Sequence, residues 1–197
     1  MKEMIKMVVV LTILSAFSGG LLAKLKDETK DRIEVQELQL VKGPAVQTIL
    51  DGAENDPVTD RFKIMDGESE RSIFVGVFDG VANTIAFEVK GKGYGDEIGL
   101  MLGINVNQDK LVGIGVTTHK ETPGLGGNAK DDPSFSAQFK GLSLDKPFLV
   151  TKDGGGINAI SGATITSRAV CMAATDGSGV YQRIKAQISD KLKEMSK

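Results

Sequence analysis

The strongest constraint on this chain is a run without charge, Met7 to Ala23, bracketed by Lys6 and Lys24. At about 1.5 Å per helical residue, its 17 residues come close to spanning a hydrocarbon core of roughly 30 Å, and the flanking lysines can extend to the interfaces. A helix that is apolar on every side has no place on the surface of a globular domain. Two fates fit such a run: an uncleaved membrane anchor, or a secretory signal with Lys2 and Lys6 as its basic start. The anchor is the expectation, because Ala16-Phe17-Ser18 is a poor cleavage site. Lys2 and Lys6 on one flank face Lys24, Lys26, Lys30 and Arg32 on the other, so charge does not set the orientation.

Behind the run the chain has material for one domain of ordinary size. Of all 197 residues 41% are hydrophobic, enough for a core. Lys and Arg number 24 against 26 Asp and Glu, so no basic excess points to nucleic acid. One cysteine, Cys171, and one histidine, His119, exclude an intrachain disulfide, a Cys/His zinc site and a cysteine-ligated iron–sulfur cluster. A Ser-His-Asp triad would have to use His119, and no Gly-x-Ser-x-Gly elbow accompanies it. Gly91-Lys92-Gly93-Tyr94-Gly95 has the wrong spacing for a dinucleotide fingerprint, and no Walker A sequence is present. No metal site is expected, and any redox group must be borrowed.

Hydrophobic periodicity predicts an α+β fold: a single N-terminal transmembrane helix, then a small domain with a largely antiparallel sheet and flanking helices. The expected division is an anchor over 1–26, a helical stalk and linker over 27–70, and the domain over 71–197. Residues 52–70 read as polar and turn-rich. Strands are expected at Ile73–Phe78 and Thr84–Val89, joined through Asp79-Gly80, and at Ile98–Val106 and Lys110–Thr117. A short helix is expected at Pro133–Phe139, a short strand at Phe148–Thr151 and a terminal helix at Val180–Met195. Tyr94 is expected to pack in the core, with stacking beside a ligand pocket as the lesser alternative.

Two loops concentrate chemistry. Ser161-Gly162-Ala163-Thr164 precedes a helix-like run that Thr166 or Ser167 is suited to cap. Small residues before Thr164 let a bulky ligand approach, and a helix N-terminus favours phosphate. The bland alternative is a tight turn and a cap. The other loop, His119-Lys120-Glu121-Thr122-Pro123-Gly124-Leu125-Gly126, is dense in hydrogen-bonding groups and reads equally as a plain strand exit. Cys171 reads as a buried small hydrophobe.

Asn158-Ala159-Ile160-Ser161-Gly162-Ala163-Thr164 resembles the flavinylation motif of FMN-binding domains, Asp-x-x-Ser/Thr-Gly-Ala-Thr, with Asn158 where the aspartate is usual. The Glu121–Gly126 loop is similar to the Glu-Thr-Pro-Gly-Leu-Gly stretch of the same family. The chain's plan resembles the G subunits of Rnf ion-translocating electron-transport complexes, shared with the C subunits of sodium-pumping NADH:quinone oxidoreductases.

The resemblance implies FMN joined to Thr164 through a phosphoester by a flavin transferase, with Thr166 as the lesser acceptor. Ser161, Gly162 and Ala163 would shape the phosphate end; Glu121, Thr122, Leu125 and Gly126 would line the ring, and His119 could donate to either. No residue is expected to be catalytic in its own right. The implied role is electron relay beside other membrane and redox subunits, with the domain outside the cytoplasmic membrane. The alternatives are a C-type subunit, or an FMN-domain sensor or interaction module without electron relay.

Overall fold

A computed structural model describes residues 2–195, as two compact units divided between Leu40 and Val41. The first unit holds helix α1, Lys2–Glu37. Within it Lys2–Lys30, which contains an 18-residue window with a mean hydropathy of 2.0, is long and apolar enough to cross a membrane. The expected anchor and the start of the expected stalk are therefore one helix. A π-helical turn follows at Leu38–Lys42, then α2 at Gly43–Ile49. Pro44 heads α2, where its missing N–H breaks the preceding ladder.

In the second unit five strands form one antiparallel meander in sequence order: β1 Arg61–Asp66, β2 Ser69–Phe78, β3 Val81–Lys92, β4 Glu97–Asn105 and β5 Lys110–Val116. The expected hairpin through Asp79-Gly80 is present, and both residues take positive φ, 54° and 72°. That is the twist-matched two-residue turn for which Asp-Gly is suited. β1 is a correction to the reading of 52–70 as loop. It is an edge strand, and of its side chains Ile64 alone is buried, with Phe62 and Asp66 partly so. Such a strand reads as polar because one face meets solvent. The compact unit also takes in 41–60, where composition reads as stalk and linker.

The sheet is covered on both faces. Ile98, Leu100, Leu102 and Ile104 of β4 lie in the main core with Ile85, Phe87 and Val89 of β3. The alternate residues look toward α2, which rests on small positions: a Cβ at Gly115 would stand 3.5 Å from Ala45 Cβ. β4 is accordingly apolar without alternation, as a strand buried on two faces must be.

The main core is closed by α5, a single helix of 32 residues, Thr164–Met195. This corrects the expectation of a helix opening at Ser167 and a separate one at Val180. Gly177 and Gly179 lie inside the helix although glycine there costs about 1 kcal/mol against alanine. Gly177 is a contact, because a Cβ there would collide with Leu102 and come within 3.4 Å of Val89. Ala169, Ala173 and Gly177 form a small-residue row on β3, where a Cβ at Gly91 would lie 2.8 Å from Ala173 Cβ.

Further along α5, Tyr181 donates to Asp109 Oδ1 at 2.7 Å and Lys185 to Asp109 Oδ2 at 2.6 Å. Lys185 is the main cause that holds the Asp109 carboxyl below the usual range. Between β5 and α5 lie short helices α3, Asn128–Asp131, and α4, Pro133–Ala137; the Asp132 side chain caps α4 by accepting from Ser134 N at 2.9 Å. The strand expected at Phe148–Thr151 reduces to one bridge, Val150 to Ile157, and a 3-10 turn.

Candidate functional site

The loop that leaves β5 turns on itself, with Thr122 C=O accepting from Leu125 N at 3.2 Å and Gly127 N at 3.0 Å. Gly124, at φ 72°, makes that reversal possible. Glu121 does not point into solvent. It is buried, 6% exposed; Oε1 accepts from Gly95 N at 2.9 Å and Oε2 from the Thr166 hydroxyl. The Lys120 ammonium reaches Asp96 on the rim and, by that hydrogen bond first, keeps the Asp96 carboxyl below the usual range.

The second loop is held from both ends. Gln138 brackets Asn158 with two bonds to its backbone, at 2.7 Å and 3.2 Å, and leaves the Asn158 side chain exposed. Gly162 takes φ 75° under Leu125, whose Cδ2 lies 3.0 Å from where a Cβ would be. The first α-helical bond of α5 runs from Ser167 N to Ala163 O at 3.0 Å. The amides of Thr164, Ile165 and Thr166 therefore precede the ladder, as the first donors of a helix do. This replaces the expected cap at Thr166 or Ser167. The Ser167 hydroxyl turns back instead, accepting from Ile160 N and donating to Ala163 O, each at 3.0 Å.

These loops enclose one cleft of about 630 Å³. Thr164, Gly162 and Ala163 line one side and Glu121, Thr122, Leu125 and Gly126 the other, although the two stretches are far apart in sequence. The volume falls in the range of small-molecule sites. Ser161 is exposed beyond the lining, and His119 also lies outside it: its Nδ1 accepts from Glu121 N at 3.2 Å and braces the loop. Of the other lining residues, Lys152 and Ile165 escaped the sequence reading, Thr166 entered it only as a cap and lesser acceptor, and Tyr94 only as the lesser alternative to core packing. Tyr94 is 71% exposed at the rim, which overturns its assignment to the core. The signal available for it was the spacing Gly93-Tyr94-Gly95. A Cβ at Gly93 would strike Glu121 and one at Gly95 the Lys120 carbonyl, so the turn can close only without side chains there.

The lining combines polar and apolar groups. At the α5 end, the Thr164 hydroxyl has no hydrogen-bond partner among the described residues and sits beside unbonded helix amides, with Lys152 in the lining. Arg168 is engaged elsewhere, gripping Asp153 with two bonds of 2.7 Å and 2.6 Å. Tyr94, Leu125 and Ile165 add exposed apolar surface to the same lining. An anionic head and a flat, largely apolar body fit this donor set.

Cys171, two turns along α5, plays no part in it. It is 2% exposed, and burial pushes its thiol up to about 12, with Asp153 adding to the shift. Thiolate at pH 8 is then about one part in ten thousand. The folded chain is expected to resist iodoacetamide at pH 8 and to label once unfolded in guanidinium, as followed by mass; rapid labelling of the folded chain would contradict this burial.

Residues 93–177, which carry both loops, match the FMN-binding domain family. The chain is 33% identical over 171 residues to the G subunit of the ion-translocating oxidoreductase complex of Methanosarcina acetivorans, across 86% of this chain and 89% of that one. It belongs to this G-subunit family. The Shewanella baltica member is 30% identical, across 94% of this chain and 92% of its own. Among solved structures, NqrC of Shewanella oneidensis matches with a TM-score of 0.52 and 27% identity over 61% of this chain. The C subunit of the Na(+)-translocating NADH-quinone reductase of Parabacteroides distasonis matches at 0.53 and 26% over 60%. The match spans 62% and 64% of those solved chains, less than two thirds. The G-family relatives thus share nearly the whole length, and the C-type subunits part of it.

Proposed function

We propose that this G-family subunit carries FMN as a phosphoester on Thr164 and relays electrons within a membrane ion-translocating oxidoreductase complex. The observation that carries the reading is the convergence of the Thr164 loop and the Glu121–Gly126 loop on one cleft of about 630 Å³. The residues fit the group. Thr164 offers for the phosphoester a hydroxyl without a hydrogen-bond partner among the described residues, with the α5 amides and Lys152 to receive the remaining phosphate charge. Tyr94, Leu125 and Ile165 supply apolar walls for a ring, and Thr122 a polar edge. Bound there, FMN supplies electron transfer in single or paired steps, while the chain provides position and electrostatics. A covalent tether suits a domain outside the cytoplasm, where free cofactor would be lost. The C-type alternative is less favoured because the G-type relatives cover 86–94% of this chain and the solved C-type structures about 60%.

The reading includes α1 as a single-pass anchor in the cytoplasmic membrane, the domain on its extracytoplasmic side, other membrane and redox subunits as partners, and a flavin transferase for loading. The uncharged run with its poor cleavage site supports an anchor. Mature protein is expected to sediment with membranes and to keep Met1 or Lys2 at its N-terminus. An N-terminus near Gly19 or Lys24 would show a removed signal instead. The loading itself is tested by the intact mass of the full chain produced with a flavin transferase: the expected gain is one FMN less one water, and an unchanged mass contradicts the reading.

A further inference from the structure

Thr164 and Thr166 both line the cleft at the head of α5, under opposite conditions. Thr164 is half-buried with its hydroxyl free of protein partners among the described residues, whereas Thr166 is 2% exposed and donates to Glu121. The other Glu121 oxygen accepts from Gly95 N. The β3–β4 turn, the loop after β5 and α5 are thus joined at one buried carboxylate. Space for that joint is left by glycine: a Cβ at Gly126 would stand 2.6 Å from Glu121 Oε2 and 2.7 Å from Thr166 Oγ1. Withdrawing a donor from a buried carboxylate carries the full desolvation penalty of the unpaired group, so the Thr166 proton is held in place.

We propose that Glu121 is a positioning residue that selects the flavin acceptor: it holds the Thr166 hydroxyl as a donor and leaves Thr164 as the nucleophile. The proposal rests on the reading that Thr164 carries FMN. In the transfer, Thr164 Oγ1 attacks the flavin-side phosphorus of a flavin nucleotide activated as a phosphoanhydride. The new O–P bond forms as the anhydride O–P bond breaks. The hydroxyl proton passes to a base of the transferase, the departing phosphate keeps the bonding electron pair, and nothing is oxidised or reduced. Thr166 can follow the same course only by giving up its bond to Glu121.

The test uses the full chain produced with a flavin transferase, with the modified residue located by fragmentation of the peptide containing Ser161–Arg168. Wild type is expected to carry flavin on Thr164 alone. Glu121→Ala is expected to raise the Thr166-linked share at least about tenfold above the wild-type detection limit, the scale of a lost charge-assisted hydrogen bond. Thr164→Ala carries none, while Thr164→Ala with Glu121→Ala carries flavin on Thr166. Glu121→Gln keeps an acceptor for Thr166 and keeps attachment on Thr164, a rescue that general damage to the loop does not produce. Gly126→Ala wedges a methyl between the partners and shifts attachment as Glu121→Ala does, so the test survives if Glu121→Ala fails to fold. Attachment wholly on Thr164 in a folded Glu121→Ala or Gly126→Ala chain overturns the proposal, as does a folded double variant without flavin on Thr166. A wild-type chain without covalent flavin overturns the Thr164 reading itself, which keeps the two failures apart.

Discussion

Alanine in place of Thr164 is expected to remove covalent flavin outright. Wild-type chain produced with a flavin transferase should fluoresce under ultraviolet light after denaturing electrophoresis, and Thr164→Ala should show background only. The loss is all-or-none because the phosphoester requires the hydroxyl oxygen, and the neighbouring hydroxyl of Thr166 is buried against Glu121. The fold should survive: Thr164 opens α5 and is half-buried, and alanine is the better helix former by several tenths of a kcal/mol. Thr164→Ser keeps the oxygen and should keep the fluorescence. Undiminished fluorescence in Thr164→Ala with an unchanged melting curve would move the acceptor away from Thr164.

The largest expected effect on stability belongs to Phe87. It lies in β3, the central strand of the five, is 0% exposed, and shares a strand face with Val89 and Gly91, which meet Gly177 and Ala173 of α5. Phe87→Ala removes a ring from a fully buried place in the main core between the sheet and α5. The cost should be about 3–5 kcal/mol. For a domain of this size each kcal/mol lowers the melting temperature by about 2–4 °C, so a fall of roughly 6–20 °C is expected in circular dichroism. Val81→Ala, at an exposed position of the same strand, should change little. A fall of less than about 2 °C for Phe87→Ala would place the core elsewhere.

Much of the architecture was legible before any coordinate. The uncharged run, the apolar stretches of β2 to β5 and the Asp79-Gly80 turn are local signals, each written within a few residues, and the structure follows them. The failures are local rules overruled at a distance. Arg61–Asp66 is a strand because β2 pairs with it from Ser69 to Phe74, while its own sequence buries little. Gly177 stays inside a helix because Leu102 and Val89 occupy the space a side chain would need. Tyr94 lies at a rim because flanking glycines let its turn close on Glu121 and the Lys120 carbonyl.

The same division runs through the site. Residue type and short spacing settled which groups are available: a small-residue loop before a helix, a threonine on it, a glycine-rich turn with a carboxylate, and a lone thiol. The family resemblance rests on those same local properties. Which groups meet was a matter for the folded chain as a whole. Thr166 and Glu121 are 45 residues apart and nothing in either stretch announces the other. Their bond exists because α5 packs across the sheet and carries its first turn to the loop after β5. His119, adjacent in sequence to the lining, was left outside it to brace a backbone amide. Residue chemistry is local, whereas burial and pairing depend on where the whole chain places each side chain.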